Sequence, residues 1–187
     1  ASMIVRSPYL TFDGCMMPLF QKLPFYTISS RDKVLDLSQP HIMGILNVTP
    51  DSFSDGGQFN ATDKAVRRCQ EMMDAGATII DIGGESTRPN AQAVATTEEI
   101  ARVVPVVAAI RQQCGDDIWL SIDTSNPLVI EQAVAAGADI WNDVRALKRE
   151  GAATMAAQLD IPVILMHMRG EPTTMNNLAH YTNVVDE

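Results

Sequence analysis

The sequence predicts an α/β protein with a parallel sheet, and a TIM (β/α)8 barrel is favoured over an open, doubly wound sheet. From His41 onward, short apolar runs alternate with amphipathic helical stretches, and this alternation indicates right-handed β-α-β crossovers. Four separate strand ends carry clusters of polar residues, as on the rim of a barrel. A doubly wound sheet would instead concentrate its ligand in one crevice.

The strands are predicted from near-continuous apolar runs, which are typical of a parallel sheet buried on both faces. They are expected at residues 41–47, 78–82, 118–122, 140–141 and 162–166. Before them, residues 33–37 alternate between polar and apolar types and predict a short strand that leads into the sheet.

The first two helices are predicted from apolar spacing and from start signals. Thr62 is expected to cap the first helix, whereas Thr96 and Glu99 have the spacing of a capping box. The second helix should run to about Cys114. Pro105 lies inside that pattern and is expected to kink this helix or to shift its start.

Two further helices are expected, at residues 127–137 and 152–159. Five strands are fewer than the eight of a closed barrel, which needs about 200–250 residues. Residues 34–187 are therefore expected to be a partial barrel domain, with about the first five β-α units of a longer protein. In residues 1–33 prolines break any periodicity, so this segment is expected to be an N-terminal extension of unknown role.

Composition limits the possible classes of function. The net charge of −9 argues against a nucleic-acid groove, because binding to phosphate backbones needs a basic face. The sequence contains no run of about 18 apolar residues, so no membrane span is expected. The 3 cysteines lack metal-binding spacing, which favours reduced thiols in a cytoplasmic protein over a disulfide framework.

The first strand ends in a loop that is rich in hydroxyl and carboxylate groups, NVTPDSFSDGG, which starts at Asn47. Amide, hydroxyl and carboxylate oxygens suit a hard cation such as Mg²⁺, which shares its oxygen ligands with phosphate. The alternative is a loop of turn-forming residues that only caps the next helix. Spacing alone leaves both interpretations open.

The second strand is followed by paired glycines, Gly83 and Gly84, and then by Arg88. The glycines allow a close approach of the backbone, and the guanidinium offers a planar fork for an anion. This pattern predicts a grip for phosphate or pyrophosphate. The alternative is a surface ion pair between Arg88 and either Glu85 or Asp55.

Asp123 and Asn142 end the third and fourth strands. Asp123 could accept hydrogen bonds from a ring N–H and an exocyclic amine of a heterocycle, and Asn142 could both donate and accept. The alternative for the third strand end is that Asp123 or Ser125 caps the following helix. Met166, at the fifth strand end, could pack in the core or lie against a flat ring.

Taken together, these segments resemble a known family. NVTPDSFSDGG, IDIGGESTRP, SIDTSNP, WNDV and VILMHMRG occur in the order and spacing found in bacterial dihydropteroate synthases. The resemblance covers about residues 34–185 and corresponds to the N-terminal two-thirds of that family. It implies a (β/α)8 barrel of the pterin-binding type, in a transferase of folate biosynthesis that is usually a cytoplasmic homodimer.

The implied reaction condenses 6-hydroxymethyl-7,8-dihydropterin pyrophosphate with p-aminobenzoate to give dihydropteroate and pyrophosphate. The resemblance also implies that the protein is a target of sulfonamide inhibitors. By the same resemblance, Asn47 serves Mg²⁺ and pyrophosphate, and Thr87 and Arg88 contact pyrophosphate, with Asn47 and Arg88 as the catalytic residues. No contact with nucleic acid or membrane is implied.

The other positions carried over from the family surround the two organic substrates. They are Asp123, Asn142, Val144 and Met166 for the pterin, Phe53, Thr87 and Pro89 for the p-aminobenzoate pocket, and Asp51 as a support of the first loop. One position departs from the family pattern, because Asn90 stands where glycine is common. The later glycine-rich, lysine and arginine–histidine motifs of the family have no match within the chain.

Two other functions compete with this interpretation. A pterin-dependent methyltransferase shares the barrel and the Asp/Asn contacts to the ring, but it has no use for a loop that binds Mg²⁺ and pyrophosphate. A non-catalytic pterin-binding module would fit a protein of 187 residues, although it would leave open sheet edges. Methyl transfer without pyrophosphate chemistry would support the first, and an intact mass of 20.4 kDa the second.

Overall fold

The computed structural model describes residues 9–12, 15–18, 26–49, 57–85, 94–170 and 174–186. Within them the strands are β1 (Tyr9–Phe12), β2 (Cys15–Pro18), β3 (Thr27–Ser30), β4 (Lys33–Asp36), β5 (Met43–Asn47), β6 (Ile79–Gly83), β7 (Trp119–Asp123), β8 (Ile140–Asp143) and β9 (Val163–Leu165). The helices are α1 (Gly57–Asp74), α2 (Thr96–Cys114), α3 (Pro127–Ala135), α4 (Ala152–Leu159) and α5 (Met175–Leu178). The predicted alternation of strand and helix is confirmed from β5 onward.

The main sheet has five parallel strands that are hydrogen-bonded in chain order, from β5 to β9. One of the helices α1 to α4 separates each strand from the next. Because the order never reverses, the sheet has no switch point of the doubly wound kind. The five β-α units therefore form the partial barrel that the sequence predicts.

The outer face of the sheet packs against the helices. Leu46, Ile82 and Ile122 lie on this face and are almost fully buried, together with Val66 from α1 and Val107 from α2. Alternation along each strand sends the intervening residues to the inner face. The inner face is therefore where a barrel places its ligand-binding side chains.

A smaller apolar layer fills the amino-terminal end of the inner face. Met43, Ile79, Trp119 and Ile140 come from four neighbouring strands, and Leu35 of β4 packs against them. β3 and β4 form an antiparallel hairpin, with Ser29 opposite Val34. This hairpin covers the amino-terminal end of the sheet and leaves the carboxyl end for the site.

Parts of the predicted N-terminal extension are regular structure. β1 and β2 pair as an antiparallel hairpin, and β3 of the second hairpin also precedes residue 34, where the sequence places the domain boundary. Apolar spacing did not predict these strands, because Pro8, Pro18 and Pro24 interrupt the pattern in this segment. The second hairpin is bonded to the sheet by Lys33, whose Nζ donates to the carbonyl of Ile118 at 2.8 Å.

One predicted helix start and one predicted capping box are wrong. α1 begins at Gly57, so Thr62 lies inside the helix, because a polar first turn carries no apolar periodicity. α2 begins at Thr96 as predicted, but no side chain caps it, and Ala95 occupies the N-cap position. The predicted capping box does not form because Glu99 is directed into the protein interior, where it is 1% exposed.

Proline and asparagine define the remaining helix features. Pro105 lies within α2 and does not shift the start of that helix. Asn126, rather than Asp123 or Ser125, caps α3, since its side chain accepts a hydrogen bond from the backbone N–H of Leu128 at 3.1 Å. In the part of the chain that the structure describes, no helix has both the length and the apolar character that crossing a membrane requires.

Candidate active site

The carboxyl ends of four strands form one row across the sheet. In the strand register Asn47 pairs with Gly83, Gly83 with Asp123, and Asp123 with Asn142. A Cβ atom added to Gly83 would lie 3.6 Å from the amide oxygen of Asn47 and 3.6 Å from the Cβ of Asp123. The missing side chain of Gly83 therefore leaves open space between an amide and a carboxylate.

Asp123 is the chemically most unusual residue of this row. Its Oδ1 is buried and has no hydrogen-bond partner among the described residues. Burial raises the pKa of Asp123 to about 7, and the nearby carboxylates add to the shift. These carboxylates are Asp81, Glu99, Glu85 and Asp143. A buried acceptor without a donor is costly, so this oxygen is suited to a ligand that brings an N–H group.

Beneath Asp123 lies a hydrogen-bonded trio of Asp81, Ser121 and Asn142. Ser121 Oγ donates to Asp81 Oδ1 at 2.7 Å, and Asn142 Nδ2 donates to Asp81 Oδ2 at 3.0 Å. Burial raises the pKa of Asp81, and the hydrogen bonds from Ser121 and Asn142 oppose that shift. The trio joins three strands and orients the Asn142 amide.

The loop after β8 is organised by Asp143, which is fully buried. Its Oδ1 accepts from Ser125 Oγ at 2.5 Å and from the backbone N–H of Arg145 at 2.9 Å, and its Oδ2 accepts from the N–H of Leu147 at 2.7 Å. Val144, predicted at the pterin wall, lies half-buried within this loop. Asp143 thereby fixes the backbone that follows Val144.

The first turns of α2 fasten the start of the loop that follows β6. Arg102 Nη1 donates to the carbonyl oxygen of Gly84 at 2.8 Å, and Arg102 is also paired with Glu98. The Cγ of Glu99 would lie 3.1 Å from a Cβ added to Gly84, and Glu99 shares a hydrogen bond with Thr124. This helix turn therefore connects the second loop to the residue that follows Asp123.

At the fifth strand end Met166 follows β9 and is 37% exposed. Its backbone N–H donates to the carbonyl oxygen of Asp143 at 3.4 Å. Met166 therefore lies beside the loop that carries Val144, and part of its side chain is open to a ligand.

The structure brings together the predicted residues Asn47, Asp123 and Asn142 and places Val144 and Met166 at the neighbouring loops. The remaining predicted residues lie outside the described part of the chain; they are Asp51, Phe53, Thr87, Arg88 and Pro89. Asn90, the position that departs from the family pattern, also lies outside it. Sequence reasoning missed the roles of Asp81 and Asp143. The available signal was a carboxylate inside an apolar strand, which requires donors when it is buried.

The donor set on this rim is compatible with Mg²⁺. Among the described residues, no group of three or more His, Cys, Asp or Glu side chains could hold a metal ion. Mg²⁺ commonly keeps several waters and binds through few protein oxygens together with substrate phosphates. The exposed Asn47 amide at the strand end fits that mode of binding. The described residues do not fit a closed metal site built from protein side chains.

The chain is similar to known proteins. A family model described as "Pterin binding enzyme" matches residues 43–187. The dihydropteroate synthase of Haemophilus influenzae is 52% identical over 158 residues, which are 84% of this chain and 57% of that protein. The Escherichia coli K12 dihydropteroate synthase is 54% identical over 153 residues, 82% of this chain and 54% of that protein.

Solved structures give the same result. A Yersinia pestis dihydropteroate synthase in a sulfonamide drug complex superimposes with a TM-score of 0.77 at 51% identity, covering 86% of this chain and 57% of that chain. A Xanthomonas albilineans dihydropteroate synthase with 4-aminobenzoic acid gives a TM-score of 0.75 at 44% identity, with 87% and 56% covered. The chain thus spans slightly more than half the length of these relatives.

Proposed function

This chain belongs to the pterin-binding enzyme family, and from that premise we propose that it carries the pterin site of a dihydropteroate synthase. The proposed reaction joins 6-hydroxymethyl-7,8-dihydropterin pyrophosphate to p-aminobenzoate and releases pyrophosphate. The synthases that the chain resembles at 52% and 54% identity support this choice.

The observation that carries the proposal is the buried Oδ1 of Asp123, which lies beside Asn142 and has no hydrogen-bond partner in the described part of the chain. A pterin presents a ring N–H next to an exocyclic amine, which are the donors that such an acceptor requires. Donation to the ionised carboxylate favours that form. Binding of the pterin should therefore lower the pKa of Asp123 from about 7 and leave it negative at neutral pH.

The opposite end of the substrate would lie near Asn47. Its amide oxygen would hold Mg²⁺ together with substrate oxygens, and the bound ion would neutralise charge on the departing pyrophosphate. Thr87 and Arg88 follow the β6 strand end, and Arg102 fixes the start of their loop at Gly84. We assign them to the pyrophosphate because a guanidinium fork suits its oxygens.

The bond to pyrophosphate breaks as positive charge develops on the exocyclic carbon of the pterin. Asp123 and the carboxylates around it provide a negative potential at the ring that stabilises this charge. The arylamine nitrogen of p-aminobenzoate then forms the new C–N bond and loses a proton. The reaction uses no covalent enzyme nucleophile.

The second substrate is assigned by relatives. The Xanthomonas albilineans synthase was solved with 4-aminobenzoic acid and the Yersinia pestis synthase with a sulfonamide. We propose the same pocket here, bordered by Phe53, Thr87 and Pro89 and supported by Asp51, and with it sulfonamide inhibition. By family resemblance we also propose a homodimer in the cytoplasm, where the free thiols of Cys69 and Cys114 would stay reduced.

The proposal is tested by pyrophosphate release from the complete protein with both substrates and Mg²⁺. Release should require p-aminobenzoate, stop when the metal is chelated, and resume when Mg²⁺ is restored. Arg88→Ala should lower the rate by at least about a hundredfold, the effect of losing one group that stabilises transition-state charge. Arg31→Ala is the matched control, because Arg31 pairs with Asp116 at the opposite, amino-terminal end of the sheet. An unchanged rate in Arg88→Ala would sink the assignment of Arg88.

A further inference from the structure

Asp81 is a buried carboxylate to which the proposed reaction assigns no contact with a substrate, only a share of the negative potential at the ring. It is 6% exposed and lies within β6, where its neighbours in the strand are isoleucines. In the register Asp81 pairs with Ser121, two residues before Asp123 on β7. Because residues two apart face the same side of a strand, the carboxylate lies one layer deeper than Asp123 on the inner face.

The hydrogen bond that Asp81 accepts from Asn142 determines the orientation of the Asn142 amide. An ionised carboxylate only accepts hydrogen bonds, so the Asn142 atom that lies 3.0 Å from Asp81 Oδ2 is the donor Nδ2. The Oδ1 of Asn142 must then point elsewhere. Asn142 pairs with Asp123 in the register, so its amide belongs to the same row of groups at the rim.

We propose that Asp81 is a positioning residue that holds the Asn142 carboxamide in one orientation, so that a pterin meets its oxygen. This inference rests on the proposed function and adds the origin of its ring specificity. A freely rotating amide could offer either an acceptor or a donor to the ring and would discriminate poorly. A fixed oxygen instead prefers a ring edge that presents N–H groups.

The wild-type protein should consequently prefer 6-hydroxymethylpterin to 6-hydroxymethyllumazine. The two rings have the same shape, but in the lumazine the 2-amino donor of the pterin becomes a 2-oxo acceptor and N1 gains a hydrogen. The comparison therefore reports on the Asn142 oxygen through its contact at position 2 of the ring. Asp81→Asn keeps the size of the side chain, yet it can present either a donor or an acceptor to Asn142. In that variant the Asn142 amide can rotate by about 180° and present its Nδ2 to the ring, so that it can donate a hydrogen bond to the 2-oxo group of the lumazine.

Calorimetry of both ligands with the purified protein tests the inference. Asp81→Asn should reduce the pterin/lumazine ratio of binding constants about tenfold, the size expected for one hydrogen bond. Asp81→Ser is a second variant with the same prediction, because a hydroxyl also donates and accepts. A ratio measured on one preparation does not depend on the folded fraction, so a less stable variant still gives a result.

Two controls separate positioning from general stability. Ser121→Ala removes the other donor of Asp81 and leaves the bond to Asn142, so the ligand ratio should stay at the wild-type value. Asp160→Asn makes the same chemical change on an exposed residue at the end of α4 and should also keep it. In the complete protein, Asp81→Asn should raise KM for the pterin substrate and leave KM for p-aminobenzoate unchanged.

A wild-type ratio in Asp81→Asn, together with a reduced ratio in Asn142→Ala, would overturn the inference. It would show that Asn142 reads the ring without help from Asp81. If the wild-type protein binds neither ring, the proposed function itself fails, and this outcome is evident before any variant is made.

Discussion

The Nζ of Lys33 lies 2.8 Å from Oδ2 of Asp139, which links the N-terminal hairpin to the start of β8. The same oxygen accepts from Arg111 of α2 and, at 2.9 Å, from the backbone N–H of Leu120. Lys33 also lies 4.8 Å from the ring centroid of Trp119. The amino-terminal end of the barrel is therefore closed by one buried anion and two cations.

Lys33→Met should destabilise the protein by about 1–3 kcal/mol, because Asp139 loses one buried cation but keeps Arg111. Burial lowers the pKa of Lys33 in spite of Asp139, so part of the ion-pair energy already offsets desolvation. Urea unfolding measures the change. Lys148→Met is the control, since Lys148 is exposed on the loop before α4. An effect no larger than that of the control would show that the hairpin does not depend on this bond.

Asp123 should make the unliganded protein less stable as pH rises. Burial and nearby carboxylates raise the pKa of Asp123 to about 7 in the folded state, whereas the ordinary value is about 3.9. Between these values the folded state holds a proton that the unfolded state has lost. The unfolding free energy therefore falls as pH increases through this window, by roughly 2–4 kcal/mol from this group.

The measurement compares unfolding free energies at pH 5 and pH 8. Other groups also titrate in this range, so the informative quantity is the difference between wild type and Asp123→Asn. In Asp123→Asn most of the decrease in unfolding free energy between pH 5 and pH 8 should be absent, and this variant should be more stable than wild type at pH 8. Asp160→Asn, an exposed change, should keep the wild-type slope. Parallel slopes for wild type and Asp123→Asn would contradict the raised pKa.

Asp143→Ala should destabilise the loop after β8 by about 2–4 kcal/mol, because three donors lose their acceptor in the interior. The wild-type loop holds Ala146 and Leu147 at φ values of 52° and 59°, a strained conformation that the bond from the N–H of Leu147 to Asp143 keeps in place. Asp143→Asn is the graded control, as it keeps one acceptor oxygen. Faster proteolysis near residues 145–149 in the alanine variant alone would support this role, and equal rates would contradict it.

Much of the site follows from the sequence because the sheet is parallel and wound in one direction. Once the strands are placed, Asn47, Asp123 and Asn142 must end at the same edge. Their chemistry is then visible from residue type alone. The pKa of Asp123 is not, because it depends on burial and on carboxylates from other elements, such as Glu99 of α2.

The missed features depend on contacts between distant parts of the chain. Asp81 looks like an interruption of an apolar strand until Ser121 and Asn142 are seen to donate to it. Glu99 has the spacing of a capping box, but a buried position beside Gly84 proved more favourable than the helix end. Local patterns cannot rank these alternatives, since the deciding contacts come from residues more than ten positions away.

The two adjacent glycines after β6 should respond differently to alanine. A Cβ on Gly84 would lie 2.7 Å from Cγ2 of Val103, so Gly84→Ala should destabilise the protein by about 1–3 kcal/mol through overpacking. A Cβ on Gly83 meets its nearest neighbours at 3.6 Å, which is ordinary contact. Gly83→Ala should therefore fold with nearly wild-type stability.

For pterin affinity we expect the opposite order: Gly83→Ala should be the variant that is affected, and Gly84→Ala the one that is not. The added methyl group of Gly83→Ala would occupy the space between Asn47 and Asp123, which we assign to the substrate, and should weaken pterin binding by about tenfold or more. Gly84→Ala, where folded, should keep an affinity near that of wild type, because its side chain points into the helix layer. Thermal melting and pterin titration of both proteins measure the two effects. Unchanged pterin affinity in Gly83→Ala would place the ring away from this row, since no ligand could lie there without contacting the new methyl group.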